Sequence, residues 1–245
     1  MMTIGNMVRQ AVVVMSLAVV AFSDGHEITV ENRCQDTVWV GALGHPTIPE
    51  NGGFVLPAGE SKTVQVGDGW SGRFWGRTGC NQDGAGCATG DCARGTQCAG
   101  AGGIPPVTLA EITFDAAGTD FYDISLVDGY NLPMAMEPTA YQGQGYRCGR
   151  AGCNRDLNAF CPGELAVVQS GRTVACNSAC NKFNTDQFCC RGAFGTPDRC
   201  PPFQYSQLFK SACPAAYSYA YDDLSSTLTC QSQGSNYRIT FCPSS

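Results

Sequence analysis

Apolar and polar residues alternate in short runs through the first third of the chain. Glu27-Ile28-Thr29-Val30-Glu31, Thr37-Val38-Trp39-Val40, Lys62-Thr63-Val64-Gln65-Val66 and Arg73-Phe74-Trp75-Gly76 each put every second side chain on one face. Such a period of two, rich in β-branched and aromatic residues, predicts half-buried strands. Asn51-Gly52-Gly53, Pro57-Ala58-Gly59 and Gly67-Asp68-Gly69 separate the runs with residues suited to turns. The pattern resumes over 107–136, where Thr113 to Tyr122 reads as a hairpin about Gly118. Thr227-Leu228-Thr229 and Tyr237-Arg238-Ile239-Thr240-Phe241 predict two more strands returning to the same body. The fold class is therefore all-β, with an antiparallel β-sandwich core.

The alternation fails in two Gly-rich zones. Residues 80–98 hold four cysteines and little apolar bulk, and residues 148–213 hold nine cysteines. The second zone carries the predicted helices, near Ser178–Phe183 and Ser206–Ala212. Neither zone buries enough surface to offset an ordering entropy of about 1–2 kcal/mol per residue, so covalent crosslinks must hold both. Cys189 and Cys190 are adjacent, and a bridge between neighbours would strain the backbone, so each is expected to pair elsewhere.

Sixteen cysteines in 245 residues is an even set, suited to complete oxidation and a secreted, extracellular location. Arg9 precedes the apolar run Ala11–Phe22, and Ala21 and Ser23 offer small residues for cleavage before Asp24. Residues 1–23 thus read as a signal peptide, too short for a comfortable membrane span of about 20 apolar residues. Lys and Arg total 15 against 21 Asp and Glu, a net charge of -6. Loss of Arg9 with the leader makes it 14 minus 21, or -7. An acidic chain is the wrong sign for neutralising phosphates, so nucleic acid is excluded as a partner. With two histidines, His26 and His45, a His-rich zinc site and a His-based triad are excluded, and no metal or cofactor is expected.

Several segments together resemble the thaumatin-like proteins. They are Arg73-Phe74-Trp75-Gly76-Arg77-Thr78-Gly79-Cys80, Cys87-Ala88-Thr89-Gly90-Asp91-Cys92, Thr108-Leu109-Ala110-Glu111, and Asp123-Ile124-Ser125-Leu126-Val127-Asp128-Gly129-Tyr130-Asn131. Near the end come Asp222-Asp223 and Ser235-Asn236-Tyr237-Arg238-Ile239-Thr240-Phe241-Cys242-Pro243. Asp83 and Ala85 stand where the family's signature has glycines. The resemblance implies a flattened sandwich (24–79, 107–147 and 214–245), a small disulfide lobe (80–106) and a large one (148–213), with a cleft between core and large lobe. It implies the pairs Cys34–Cys242, Cys80–Cys87, Cys92–Cys98, Cys148–Cys230, Cys153–Cys213, Cys161–Cys176, Cys180–Cys189 and Cys190–Cys200.

Many relatives have an acidic cleft of one Arg, one Glu and three Asp. The resemblance carries these to Arg73, Glu111, Asp123, Asp128 and one of Asp222 or Asp223, with Asp222 preferred. Carboxylates ~5 Å apart repel by about 3 kcal/mol at an effective dielectric of ~20, which raises one pKa and leaves its neighbour ionised. That arrangement serves glycoside hydrolysis, with Glu111 as acid and Asp123 or Asp128 as base. The same groups also accept hydrogen bonds from sugar hydroxyls without cleaving anything. Taken singly, each has a plainer role: Asp128-Gly129 is a turn dipeptide, and Asp123 with Arg73 is a structural ion pair. The expectation is a secreted, monomeric, defence-type protein that binds β-1,3-glucan of fungal walls. Its alternatives are a weak endo-β-1,3-glucanase, or an inhibitor or receptor ligand acting through an exposed loop.

Overall fold

A computed structural model describes residues 25–140, 147–153 and 155–244; the leader expected over 1–23 lies outside them. The alternating runs form strands β1 (His26–Asn32), β2 (Val38–His45), β3 (Gly53–Leu56), β4 (Ser61–Val66) and β5 (Ser71–Arg77). The hairpin is β6 (Leu109–Ala116) and β7 (Thr119–Ser125), followed by β8 (Met134–Ala140) and the short β9 (Ala151–Gly152). After β10 (Ala166–Gln169) and β11 (Arg172–Cys176) come helices α1 (Ala179–Phe183), α2 (Asp186–Cys189), α3 (Gln204–Ala212) and α4 (Asp223–Ser226). Strands β12 (Leu228–Gln231) and β13 (Asn236–Phe241) complete the order.

Two sheets face each other. One has the order β4-β1-β13-β8-β9, the other β12-β7-β6-β5-β2-β3, and β10-β11 is a separate ribbon. Every pairing is antiparallel except β1 with β13, which run side by side from Ile28 opposite Tyr237 to Asn32 opposite Phe241. Between the sheets lie the side chains that the period-two pattern turns inward, among them Ile28, Val30, Val40, Phe74, Ile112, Phe114, Ile124, Met136, Tyr237 and Ile239.

All sixteen cysteines are bridged, as Cys34–Cys242, Cys80–Cys87, Cys92–Cys98, Cys148–Cys230, Cys153–Cys213, Cys161–Cys176, Cys180–Cys189 and Cys190–Cys200. In the zone from Cys148 to Cys213, α1 starts where Ser178 accepts a hydrogen bond from the Asn181 amide and ends at the left-handed Asn184. The extra helix α2, which the hydrophobic pattern does not announce, starts under a Thr185 cap. Four residues leave no room for an amphipathic repeat, so capping and the two bridges at Cys189 and Cys190 define it.

The small lobe sits on the outer face of the six-stranded sheet. Trp75 and Leu109 point outward there and join Cys92, Cys98 and Val107 in a second, separate core. Arg77 clips the lobe down: its buried guanidinium donates to the carbonyls of Trp39, Val40, Gly84, Gly95 and Thr96.

Candidate functional site

Strands β5, β6 and β7 are neighbours, and their register sets the site. Arg73 stands opposite Glu111, and Glu111 stands opposite Asp123. Directly opposed residues hold their Cβ atoms about 4.5–5.5 Å apart, so the three side chains form one row across the sheet. They lie on its outer face, because their neighbours Phe74, Ala110, Ile112, Tyr122 and Ile124 are buried in the sandwich.

Asp128 reaches the row from the turn after β7. The turn closes by Gly129 N to Leu126 O at 3.0 Å, and Val107 donates to the Asp128 carbonyl at 3.0 Å. Gly129 has φ +89, and a Cβ there would stand 2.6 Å from Pro106 Cβ, so only glycine fits the bend. Tyr130 then exchanges two 2.8 Å backbone hydrogen bonds with Cys176, which ties the turn to the large lobe. The opposite wall comes from Tyr217, whose backbone extends the sheet beside Ile124 and Leu126. Together these elements border a groove of about 400 Å³ lined by Arg73, Glu111, Asp123, Ser125, Asp128 and Tyr217.

The electrostatics follow from placing acids at the half-buried foot of this groove. Burial, then the charges of Glu111 and Asp223, push the Asp123 carboxyl up to about 8. Its Oδ1 is buried without a hydrogen-bond partner among the described residues. Burial also raises Glu111; Arg73 opposes that rise, Asp128 adds to it, and the Ser125 hydroxyl counters it. Burial first, then two neighbouring acids, thus favour the protonated form of Asp123, while Arg73 favours the charged form of Glu111.

Neither Asp222 nor Asp223 is among the residues that line the groove, and Asp222 is held by its own neighbours. Its carboxylate accepts from the Ser218 amide and hydroxyl at 3.0 and 2.9 Å and from the Ser225 hydroxyl at 2.6 Å. Lys210 Nζ stands 3.1 Å away. Burial pushes Asp222 up, and these bonds outweigh it and hold the group below its usual range. Asp223 accepts from the Tyr217 hydroxyl at 2.9 Å, and its charge acts on Asp123. Sequence spacing does not separate adjacent acids; the α3–α4 packing does. Ser125 was legible from its period-two partnership with Asp123, but Tyr217 arrives through a non-local pairing that leaves no sequence signal.

A sandwich with two crosslinked lobes and an acid-lined groove defines a class of disulfide-rich β-proteins. The Thaumatin family matches residues 32–243, and the chain belongs to that family. It is similar to "Pathogenesis-related protein 5" of Arabidopsis thaliana, 54% identical over 89% of this chain and 90% of that one. It is also similar to "Glucan endo-1,3-beta-glucosidase" of Prunus avium, 48% identical over 97% of this chain and 100% of the other. Among solved structures, a β-1,3-glucanase domain (GH64) from Clostridium beijerinckii shares the fold at a TM-score of 0.54 and 11% identity, covering 90% of this chain and 98% of that chain.

Proposed function

We propose that the protein is secreted and binds β-1,3-glucan along the groove of Arg73, Glu111, Asp123 and Asp128 as a monomer, acting in defence against fungi. One observation carries this reading: the cross-strand row of charged groups ends in a buried carboxyl oxygen, Asp123 Oδ1, without a hydrogen-bond partner among the described residues. A sugar presents hydroxyls along its whole length, and these donate to carboxyl oxygens while their own oxygens accept from Arg73. The relatives' names, one pathogenesis-related and one a glucan endo-1,3-beta-glucosidase, support the defence setting and the polymer. Eight bridges and no free cysteine suit an oxidising compartment. The test is retention on insoluble β-1,3-glucan. Wild type is expected to be held and the Glu111→Ala/Asp123→Ala protein to wash through; wild type passing freely while a control glucan binder is held would end the proposal.

Hydrolysis is the second reading, favoured by the proton held on Asp123 beside Glu111. Asp123 protonates the glycosidic oxygen, and Glu111, facing Arg73, supplies the carboxylate that activates water or attacks the sugar. Reducing ends released from laminarin, and lost in both Asp123→Asn and Glu111→Gln, are the expected outcome. A wild type that releases none between pH ~4 and ~8 has no such activity.

A further inference from the structure

The Tyr217 hydroxyl is the junction of a closed hydrogen-bonded circuit at the end of the acid row. It donates to Asp223 Oδ1 at 2.9 Å and lies against the Thr227 hydroxyl. A carboxylate only accepts, so the single tyrosine proton points to Asp223, and the Thr227 hydroxyl donates in turn to the tyrosine oxygen. The backbone closes the circuit, because the Thr227 amide donates to the Asp223 carbonyl at 3.1 Å. Burial, opposed by the Thr227 hydrogen bond and aided by Asp223 and Asp123, pushes the Tyr217 hydroxyl above its usual range, so it remains a donor.

The frame of this circuit is fixed. Tyr217 N donates to Ile124 O at 2.8 Å and Leu126 N to Tyr217 O at 2.9 Å, which stitches the tyrosine to the end of β7 that carries Asp123. Thr227 directly precedes β12, where Leu228 stands opposite Tyr122. Continuing that register by one residue brings Thr227 level with Asp123. Asp222 pins the start of α4 through Ser218, Ser225 and Lys210. The Asp223 carboxylate is different: it belongs to an exposed residue, and among the described residues the Tyr217 hydroxyl is all that holds it.

The anion so held has an effect on the groove. After burial and Glu111, its charge is the third cause that pushes Asp123 up to about 8. Of the other charged groups around Asp123, Glu111 stands opposite on β6, Arg73 lies beyond it on β5, and Asp128 comes from the turn after β7. Sheet register and a closed turn set those three. Asp223 alone depends on one side-chain bond, without which repulsion by the neighbouring acids and hydration draw it into water, where its charge is screened.

We propose that Tyr217 is a positioning residue: clamped by Thr227, its hydroxyl holds the Asp223 carboxylate within reach of Asp123 and so sets the pH at which the groove gains a negative charge. The consequence for sugar binding rests on the glucan reading above. The experiment follows the Asp123 carboxyl by carbon-13 NMR from pH ~5 to ~10, its signal assigned by loss in Asp123→Asn. Asp223→Asn keeps an acceptor oxygen and removes the charge, and is expected to lower the Asp123 midpoint by about half a pH unit or more. Tyr217→Phe keeps the aromatic side chain and the backbone bonds, and should lower it too; the two substitutions together should go no lower than Asp223→Asn alone. Affinity for a laminari-oligosaccharide, measured by titration calorimetry over the same range, should carry the same displaced midpoints. A tyrosine that merely ties α4 to β7 would change the melting temperature and leave the Asp123 midpoint in place, and that result overturns the inference. So does a Tyr217→Phe effect of equal size with and without Asp223. If Tyr217→Phe is not folded by circular dichroism, Asp223→Asn decides alone, a lowered midpoint supporting the inference and an unmoved one overturning it. Failure of wild type to bind the oligosaccharide at every pH ends the glucan reading, while the NMR midpoints still decide the clamp.

Discussion

Asp123 carries the largest functional consequence of a single side chain. Its folded pKa, about 8, lies far above the ~3.9 of an unfolded aspartate, so the native state holds a proton that the unfolded state has lost between those values. Stability therefore falls as pH rises from ~4 to ~8 through this group and levels off above. Asp123→Asn removes the titration. Thermal unfolding across that range should show a flatter profile for the variant, with the gap to wild type widening toward high pH; parallel profiles would place the proton elsewhere. Asp222, whose pKa is lowered, contributes the opposite way, its stability present above the unfolded value and lost as pH falls. Both residues are visible in the sequence as acids. Their division into a proton holder and a fixed anion was not, because desolvation and hydrogen bonding are properties of the surroundings.

Between elements, two polar clips hold the lobes. Asp222 joins α3 to the start of α4 through Lys210, Ser218 and Ser225. Replacing it by Ala leaves the Lys210 ammonium short of a charged partner and is expected to cost about 1–3 kcal/mol in urea unfolding, without abolishing glucan retention. Arg77 is buried, and its donors fork to five carbonyls on β2 and the small lobe. Arg77→Met strips those carbonyls of their donor, and about 3 kcal/mol or more should be lost, with proteolytic nicking appearing within 80–98. Arg77→Lys should recover little, since an ammonium lacks the planar fork. At this scale the strands were legible: β1, β2, β4, β5 and the β6–β7 hairpin all follow period-two runs. Strand β3 and the ribbon β10-β11 were not read, being four or five residues each among turn-forming neighbours.

For the molecule as a whole, chain closure matters most. Cys34–Cys242 spans 208 residues, and the parallel β1–β13 pair lies next to it. By the chain-entropy relation, a loop of that size is worth about 5 kcal/mol, against about 2 kcal/mol for the six-residue loop of Cys92–Cys98. The Cys34→Ser/Cys242→Ser protein should accordingly melt well below the Cys92→Ser/Cys98→Ser protein in differential scanning calorimetry. The reverse ranking would mean that native β1–β13 contacts persist in the unfolded chain.

The sequence by itself determined the all-β class, the oxidised cysteine set, the inward-facing residues and the presence of Arg73, Glu111, Asp123 and Asp128, because period, charge and cysteine parity are local properties of the chain. Tertiary structure alone decided that Glu111 stands between Arg73 and Asp123, that Asp222 is bound to Lys210, Ser218 and Ser225 while Asp223 meets Tyr217, and that burial favours a proton on Asp123. Those outcomes depend on register and on lobe packing over residues distant in the chain, where one step of register would turn a side chain to the opposite face and the loss of one buried bond would change which acid ionises.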